Sequence, residues 1–148
     1  AIRKIRQNKG SGKTIVFAGN DDELNRKVLE KEQINILLIN QKGRKDMIKQ
    51  RNSGFNQVMA KLAKKKNIAL GINLDEILNA GADSKAEILA RVRQNIKLCN
   101  KNKLKMKFIS GEKSDIYNLK ALGLVLGMPT WMTSSLNSDK NLKSIAWG

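Results

Sequence analysis

The sequence predicts an α/β fold assembled from strand-then-helix units, and two observations carry that prediction. Short aliphatic, β-branched runs recur four times along the chain, and each is followed by a segment whose apolar residues return at helical spacing. This alternation is the pattern of βαβ units feeding a parallel sheet. The second observation is capacity: with 148 residues, 41% of them hydrophobic, the chain has the means of burying roughly two thirds of its unfolded surface. It is therefore expected to fold as one domain over residues 1–148 in spite of a formal charge of +16.

The elements follow in order. Ala1 to Gly10 is rich in Arg and Lys and free of acids, as a transit peptide is, but it lacks the apolar core of a secretory signal. Ile2 and Ile5 on one side make it an amphipathic helix. A first residue that is Ala suggests a trimmed or incomplete chain. Thr14 to Gly19 is a buried strand. Asp21, Asp22 and Glu23 complement the dipole of a helix over about 21–32, with Leu24, Val28 and Leu29 as its stripe. Ile34 to Ile39 is the second strand, followed by a long polar connection from Asn40 to Ser53. Phe55, Val58, Met59 and Leu62 place a helix over Gly54 to Lys66, with Asn52 or Ser53 as its cap. Ile68 to Leu74 is the third strand. Ser84-Lys85-Ala86-Glu87 has the capping-box pattern and opens a helix to about Asn100. Leu104 to Ile109 is the fourth strand, and a last helix runs from about Ile116 to Leu126, ended by Gly127 and Pro129. Four such units make half of a (β/α) barrel, with open edges to be covered. Residues 129–148 carry no clear pattern, and 137–148 read as an unassigned tail.

Composition excludes several chemistries. The chain has no histidine, so a Ser-His-Asp triad, a Cys-His pair and the usual His-bearing zinc sites cannot be built from it. Cys99 is the single cysteine, which rules out an intrachain disulfide and fits a reducing, cytoplasmic setting; its apolar neighbours mark it as a small core residue. The longest apolar stretch, Ala121 to Met128, is far short of a membrane span, so a soluble chain with no membrane contact is expected. Aromatics are only 4% of residues, too few for base-stacking platforms, which leaves Lys and Arg to contact any nucleic acid.

Three motifs invite chemistry. Gly10-Ser11-Gly12-Lys13-Thr14 ends like a phosphate loop, but position 7 is Gln where a glycine is needed, and a helix precedes and a strand follows, the reverse of the required order. A flexible turn explains it better. Asp21, Asp22, Glu23 and Glu112 follow predicted strands, where barrel active sites are built, and would suit magnesium if they converged. The first three are better explained as helix-start residues, so neither a metal nor another cofactor is expected. The connection after the second strand is the informative feature: Lys42, Arg44, Lys45, Lys49 and Arg51 stand against one acid, Asp46, at the carboxyl end of a strand where α/β folds place ligands. Such a loop is expected to bind a polyanion. Lys61, Lys64, Lys65 and Lys66 continue the charge down the next helix.

Arg51-Asn52-Ser53-Gly54-Phe55-Asn56-Gln57-Val58-Met59-Ala60-Lys61-Leu62-Ala63 with Asn67-Ile68-Ala69-Leu70-Gly71 resembles the signature segment of the archaeal ribonuclease P protein component 3 family, whose eukaryotic relative is the thirty-kilodalton subunit. Arg93 to Cys99, Lys105-Met106-Lys107, Ser110 and Leu119 to Met128 agree in order and spacing, so the likeness covers about residues 14–136. The resemblance implies a partial (β/α) barrel of the PHP-like TIM-barrel type, whose opening units would be missing here. It implies a non-catalytic, RNA-binding subunit of ribonuclease P, the ribozyme that removes the 5′ leader of precursor tRNA. Its partners would be RNase P RNA, precursor tRNA indirectly, protein component 2 and the other protein subunits. The expected RNA-binding residues are Lys42, Arg44, Lys45, Lys49, Arg51, Asn52, Ser53, Lys64, Lys65 and Lys120, with no catalytic residue. Two departures stand out: Lys120 replaces a frequent Arg, and Asn118 occupies a position usually acidic. The alternatives are a carboxylate- and metal-dependent phosphoesterase on a related barrel, needing Asp21, Asp22 and Glu112 together, and a general RNA-binding protein.

Overall fold

The structure is a computed structural model that describes residues 1–136 and 144–147. Its elements are α1 (Ile2–Gln7), β1 (Ile15–Gly19), α2 (Asp22–Lys31), β2 (Ile36–Ile39), α3 (Gln57–Lys65), β3 (Ala69–Asn73), α4 (Leu74–Asn79), α5 (Ala82–Lys101), β4 (Met106–Ile109), α6 (Ile116–Leu126), α7 (Thr130–Thr133) and β5 (Ser144–Trp147). All strand pairings are parallel, in the order β4-β3-β2-β1-β5. The α/β class and the four strand-helix units of the sequence are therefore present.

The arrangement of apolar side chains is that of a barrel wall. One large cluster joins Phe17, Leu37, Ile39, Leu70, Ile72 and Met106 of the strands to buried residues of every helix, from Ile5 of α1 to Met132 of α7. A second cluster, Val16, Ala18, Ile36, Leu38 and Ile109, contains no helix residue. The helices thus lie on one face and a small apolar lining on the other, as in a partial TIM-like barrel; a doubly wound sheet carries helices on both faces. Burial on both faces is also why the strands read as unbroken apolar runs instead of alternating ones. On the lining face Gly71 sits in close quarters, since a Cβ there would approach Ile36 Cγ2 at 3.0 Å and Leu38 Cδ1 at 3.1 Å and would need those side chains to give by a few tenths of an ångström.

Several boundaries differ from expectation. Helix α3 begins at Gln57 and is capped by Asn56, whose side chain accepts from Met59 N–H at 2.9 Å; neither Asn52 nor Ser53 caps it. The reason is Gly54, whose φ of +71° turns the chain away from a helical path. The capping box at Ser84 is not formed, because α5 already starts at Ala82 after Gly81 and Ser84 lies within its first turn. Between β3 and α5 the sequence reading missed α4, which begins where the third strand was expected to end; Asn73 caps it by accepting from Glu76 N–H at 3.2 Å. Gly10 and Gly12, both at positive φ, turn the chain from α1 into β1, as the turn reading expected. Within the unassigned 137–148 tail, Ser144–Trp147 forms β5 against β1, while the rest of that tail lies outside the described residues. Cys99 is fully buried, and burial pushes its thiol up to about 12. No helix among the described residues is long and apolar enough to cross a membrane.

Candidate nucleic-acid interface

The carboxyl ends of β1, β2 and β3 carry Asn20, Asn40 and Asn73, which the strand register places side by side. They are linked: Asn73 Nδ2 donates to Asn40 Oδ1 at 2.8 Å, and Asn40 Nδ2 to Asn20 Oδ1 at 3.3 Å. This amide row ties together the strand ends from which the basic connection, residues 40–56, departs.

That connection is a built structure. Arg91 of α5, buried, reaches into it and donates from Nη1 to Gln41 O at 3.0 Å, from Nη2 to Arg44 O at 2.7 Å and from Nε to Asp46 Oδ1 at 3.0 Å. Asp46 Oδ1 also accepts from Asn52 N–H at 2.8 Å, closing the loop on itself. Gln41 donates its N–H to Glu76 Oε1 at 2.7 Å and its side-chain amide to Ser53 O at 2.9 Å. Arg44 forks onto Asp22 of α2, with Nη1 at 3.0 Å from Oδ2 and Nη2 at 2.7 Å from Oδ1, and its Nε donates to Asn40 O at 2.8 Å. A guanidinium pair of this kind combines charge with fixed geometry. At the far end Gln94 of α5 holds Arg51 O at 3.2 Å.

The predicted residues consequently divide. Lys42, Lys45, Lys49 and Arg51 are exposed and form no ion pair among the described residues, so the loop presents four cations on a braced frame. Arg44 is 11% exposed and serves as a brace. Asn52 and Ser53 are structural as well: Asn52 Oδ1 accepts from Gly54 N–H at 3.2 Å, and the buried Ser53 hydroxyl donates to Phe55 O at 3.3 Å. Lys64 and Lys65 are not beside the loop. They sit in the last turn of α3, about 12 Å along the helix axis from its start. Lys64 Nζ donates there to Lys103 O at 2.9 Å, and Lys66 Nζ to Leu29 O at 2.7 Å and Glu32 O at 2.8 Å, satisfying carbonyls at the end of α2. Lys120 lies half-exposed on α6, after the edge strand β4.

The carboxylates of the metal reading do not converge. Asp21 caps α2 through Glu23 N–H at 3.0 Å, Asp22 is taken by Arg44, and Glu112 follows β4. Strands β1 and β4 are separated by β2 and β3, a distance of roughly 14 Å along the sheet. Among the described residues no group of three or more His, Cys, Asp or Glu is placed to hold a metal ion.

Arg91, Glu76 and the asparagine row were not singled out from sequence. Arg91 had a readable signal, a lone Arg on the apolar face of a helix beside Ile88, Val92 and Ile96. Glu76 had another, as the acid three residues after the Asn73 cap.

Two predictions arise from this geometry. A Cβ on Gly54 would stand 2.5 Å from Arg44 Nη2, at a backbone φ that costs a side chain about 1–2 kcal/mol. Gly54→Ala is expected to lose at least that much in urea unfolding, with the Arg44–Asp22 fork opened; an unchanged midpoint would show that Gly54 does not constrain Arg44. The second concerns acid. Arg91 and then Asn52 N–H hold the Asp46 carboxyl below its ordinary range, and the Ser110 hydroxyl and then Gly111 N–H do so for Asp75. A carboxylate depressed in the folded state contributes stability above its ordinary pKa and loses it as the pH falls through the folded value. Stability is expected to be level near neutrality and to fall below about pH 4. Asp75→Asn should make that acid fall shallower, and an identical fall would leave Asp75 without a part in it. Burial acts in the opposite sense on Glu76 and raises its carboxyl.

Comparison with known proteins agrees with the fold. A family model described as RNase P subunit p30 matches residues 2–144. The chain is 29% identical over 144 residues to ribonuclease P protein component 3 of Methanococcus maripaludis strain C7, covering 97% of this chain and 58% of that protein. It is 30% identical over 98 residues to the component 3 protein of Methanocaldococcus jannaschii, covering 66% of this chain and 40% of that one. Among solved structures, a chain of an archaeal ribonuclease P determined by cryo-EM with mature tRNA superposes with a TM-score of 0.73 at 25% identity, over 88% of this chain and 56% of that chain. The chain spans about half the length of these Methanococcus relatives.

Proposed function

Because the chain belongs to the RNase P subunit p30 family, we propose that it acts as a non-catalytic, RNA-binding protein subunit of ribonuclease P, supporting RNA-based removal of the 5′ leader from precursor tRNA. The observation that carries this reading is the braced loop. Four exposed cations, Lys42, Lys45, Lys49 and Arg51, are held in place by Arg91, Arg44 and Gln94, so little ordering remains to be done when phosphates bind. A net charge of +16 adds a field that favours RNA over the whole surface. In this reading the sheet is a section of a PHP-like barrel and the complex is cytoplasmic.

Protein component 2 is the proposed protein partner, and α6 is the surface proposed for it. That helix is apolar on most sides, yet Tyr117, Leu124 and Val125 are 77%, 52% and 72% exposed. A helix apolar all round is normally buried. Covering this face with another subunit would remove the mismatch.

The test is to purify the tagged protein from its native cells at moderate salt and to sequence and identify what accompanies it. Enrichment of a single RNA with RNase P features, together with the component 2 protein, is the expected result. Ribosomal RNA and tRNA in proportion to their abundance would replace this reading with general RNA binding.

A further inference from the structure

A groove of about 740 Å³ runs beside the loop, between the starts of α2 and α3 and the outer face of α5. Its lining includes Arg26 of α2, Arg51 of the loop, and Lys97 and Lys101 of α5, over an apolar floor that contains Phe55 and Met59. A second groove of about 520 Å³ shares Arg51 and Lys97 with the first and adds Arg93. The two are thus continuous along α5. Arg93, Lys97 and Lys101 are spaced four residues apart, all exposed, and none is in an ion pair among the described residues. Four residues advance a helix by about 6 Å, so the three cations form a nearly straight row with one charge per turn. Of the acids on the first groove, Asp22 is neutralised by Arg44, which leaves Glu23 against four cations. Arg26 is shared with Glu30 in an exposed pair, which holds it only weakly.

We infer that this α5 row, continuous with Arg51, is a second RNA track, which holds the sugar–phosphate backbone of an RNA segment leading away from the loop. The inference rests on the proposed RNA-binding role and deepens it. Its chemistry is that of a polyanion of regular charge spacing: evenly spaced cations on a rigid helix give a register for successive phosphates but no means of reading bases. The track is joined rigidly to the loop, because Gln94, one residue after Arg93, hydrogen-bonds Arg51 O. RNA held at Lys42, Lys45 and Lys49 is therefore presented to Arg51 and then to Lys97.

The test compares the salt dependence of binding to a transcript of the RNase P RNA from the organism that carries this chain. Three proteins are used: the unaltered chain, R93A/K97A/K101A, and the charge-conserving R93K/K97R/K101R. Loss of three phosphate contacts is expected to lower the slope of log affinity against log salt by about 2 to 2.7 in the alanine variant and to leave it unchanged in the conserving one. Thermal unfolding of both variants is expected to match the unaltered chain, since all three residues are exposed. Binding by the unaltered chain with a steep slope that the alanine variant retains would overturn the α5 track and leave the loop as the only site. In that outcome the cationic row faces something other than RNA, such as an acidic protein segment. Failure of the unaltered chain to bind the transcript would overturn the RNA-binding role and this inference with it.

Discussion

Replacing Lys42, Lys45, Lys49 and Arg51 together by alanine is expected to lower the slope of log affinity for RNase P RNA against log salt by about 3, since each phosphate neutralised by the chain contributes about 0.7 to 0.9. Affinity at fixed moderate salt should fall accordingly, while folding stability should move by no more than about 0.5 kcal/mol, because the four side chains are exposed and have no ion-pair partner among the described residues. The separation of these two readouts makes the variant informative. Arg44→Ala is the contrast. Its guanidinium forks onto Asp22 and packs against Gly54, so this variant is expected to destabilise the protein and to disturb binding only through the loop's shape. A quadruple variant that keeps the full salt slope would remove the loop from the RNA interface.

The second large effect is on stability. Arg91 is 2% exposed and makes three hydrogen bonds to the loop, one of them to a carboxylate. Arg91→Ala leaves Asp46 without its cation and the carbonyls of Gln41 and Arg44 without their donors. Water screens the exposed Asp46 carboxylate, so the pair itself contributes little and the cost falls mainly on the two carbonyls that lose their donor, about 2–4 kcal/mol together. For a domain of this size that is a fall of roughly 10 °C in Tm. Arg91→Lys should not restore it, because one ammonium group cannot reach three acceptors that a planar fork meets at once. Binding should weaken as well, although Arg91 itself is inaccessible to RNA, since the frame under Lys42, Lys45 and Arg51 is lost. A loss of less than about 1 kcal/mol in urea unfolding would mean that the loop is held by Glu76 and Asp22 without Arg91.

Local information was enough for the alternation of strands and helices. Burial on one stripe or two faces leaves its period in the chain, as in Val28 and Leu29 of α2 or the unbroken Ile36–Ile39 run. The same holds for Cys99 in the core, for the turn at Gly10 and Gly12, for the concentration of charge between residues 40 and 53, and for the family likeness, all of which depend on residue type and order. What order along the chain does not contain is which polar groups meet across it. Arg44 and Lys45 are neighbours of the same charge, yet Asp22, 22 residues earlier than Arg44, makes one a brace and leaves the other to solvent. Lys64 and Lys66 read as part of a basic run, but the ends of α2 and α5 supply carbonyls that take up their ammonium groups. Arg91 is bound to a loop about 45 residues away, and Ser144–Trp147 becomes a strand only because β1 offers it an unpaired edge. Charge and periodicity are properties of residues, whereas the fate of a buried polar group depends on the partners that folding brings within about 3 Å of it.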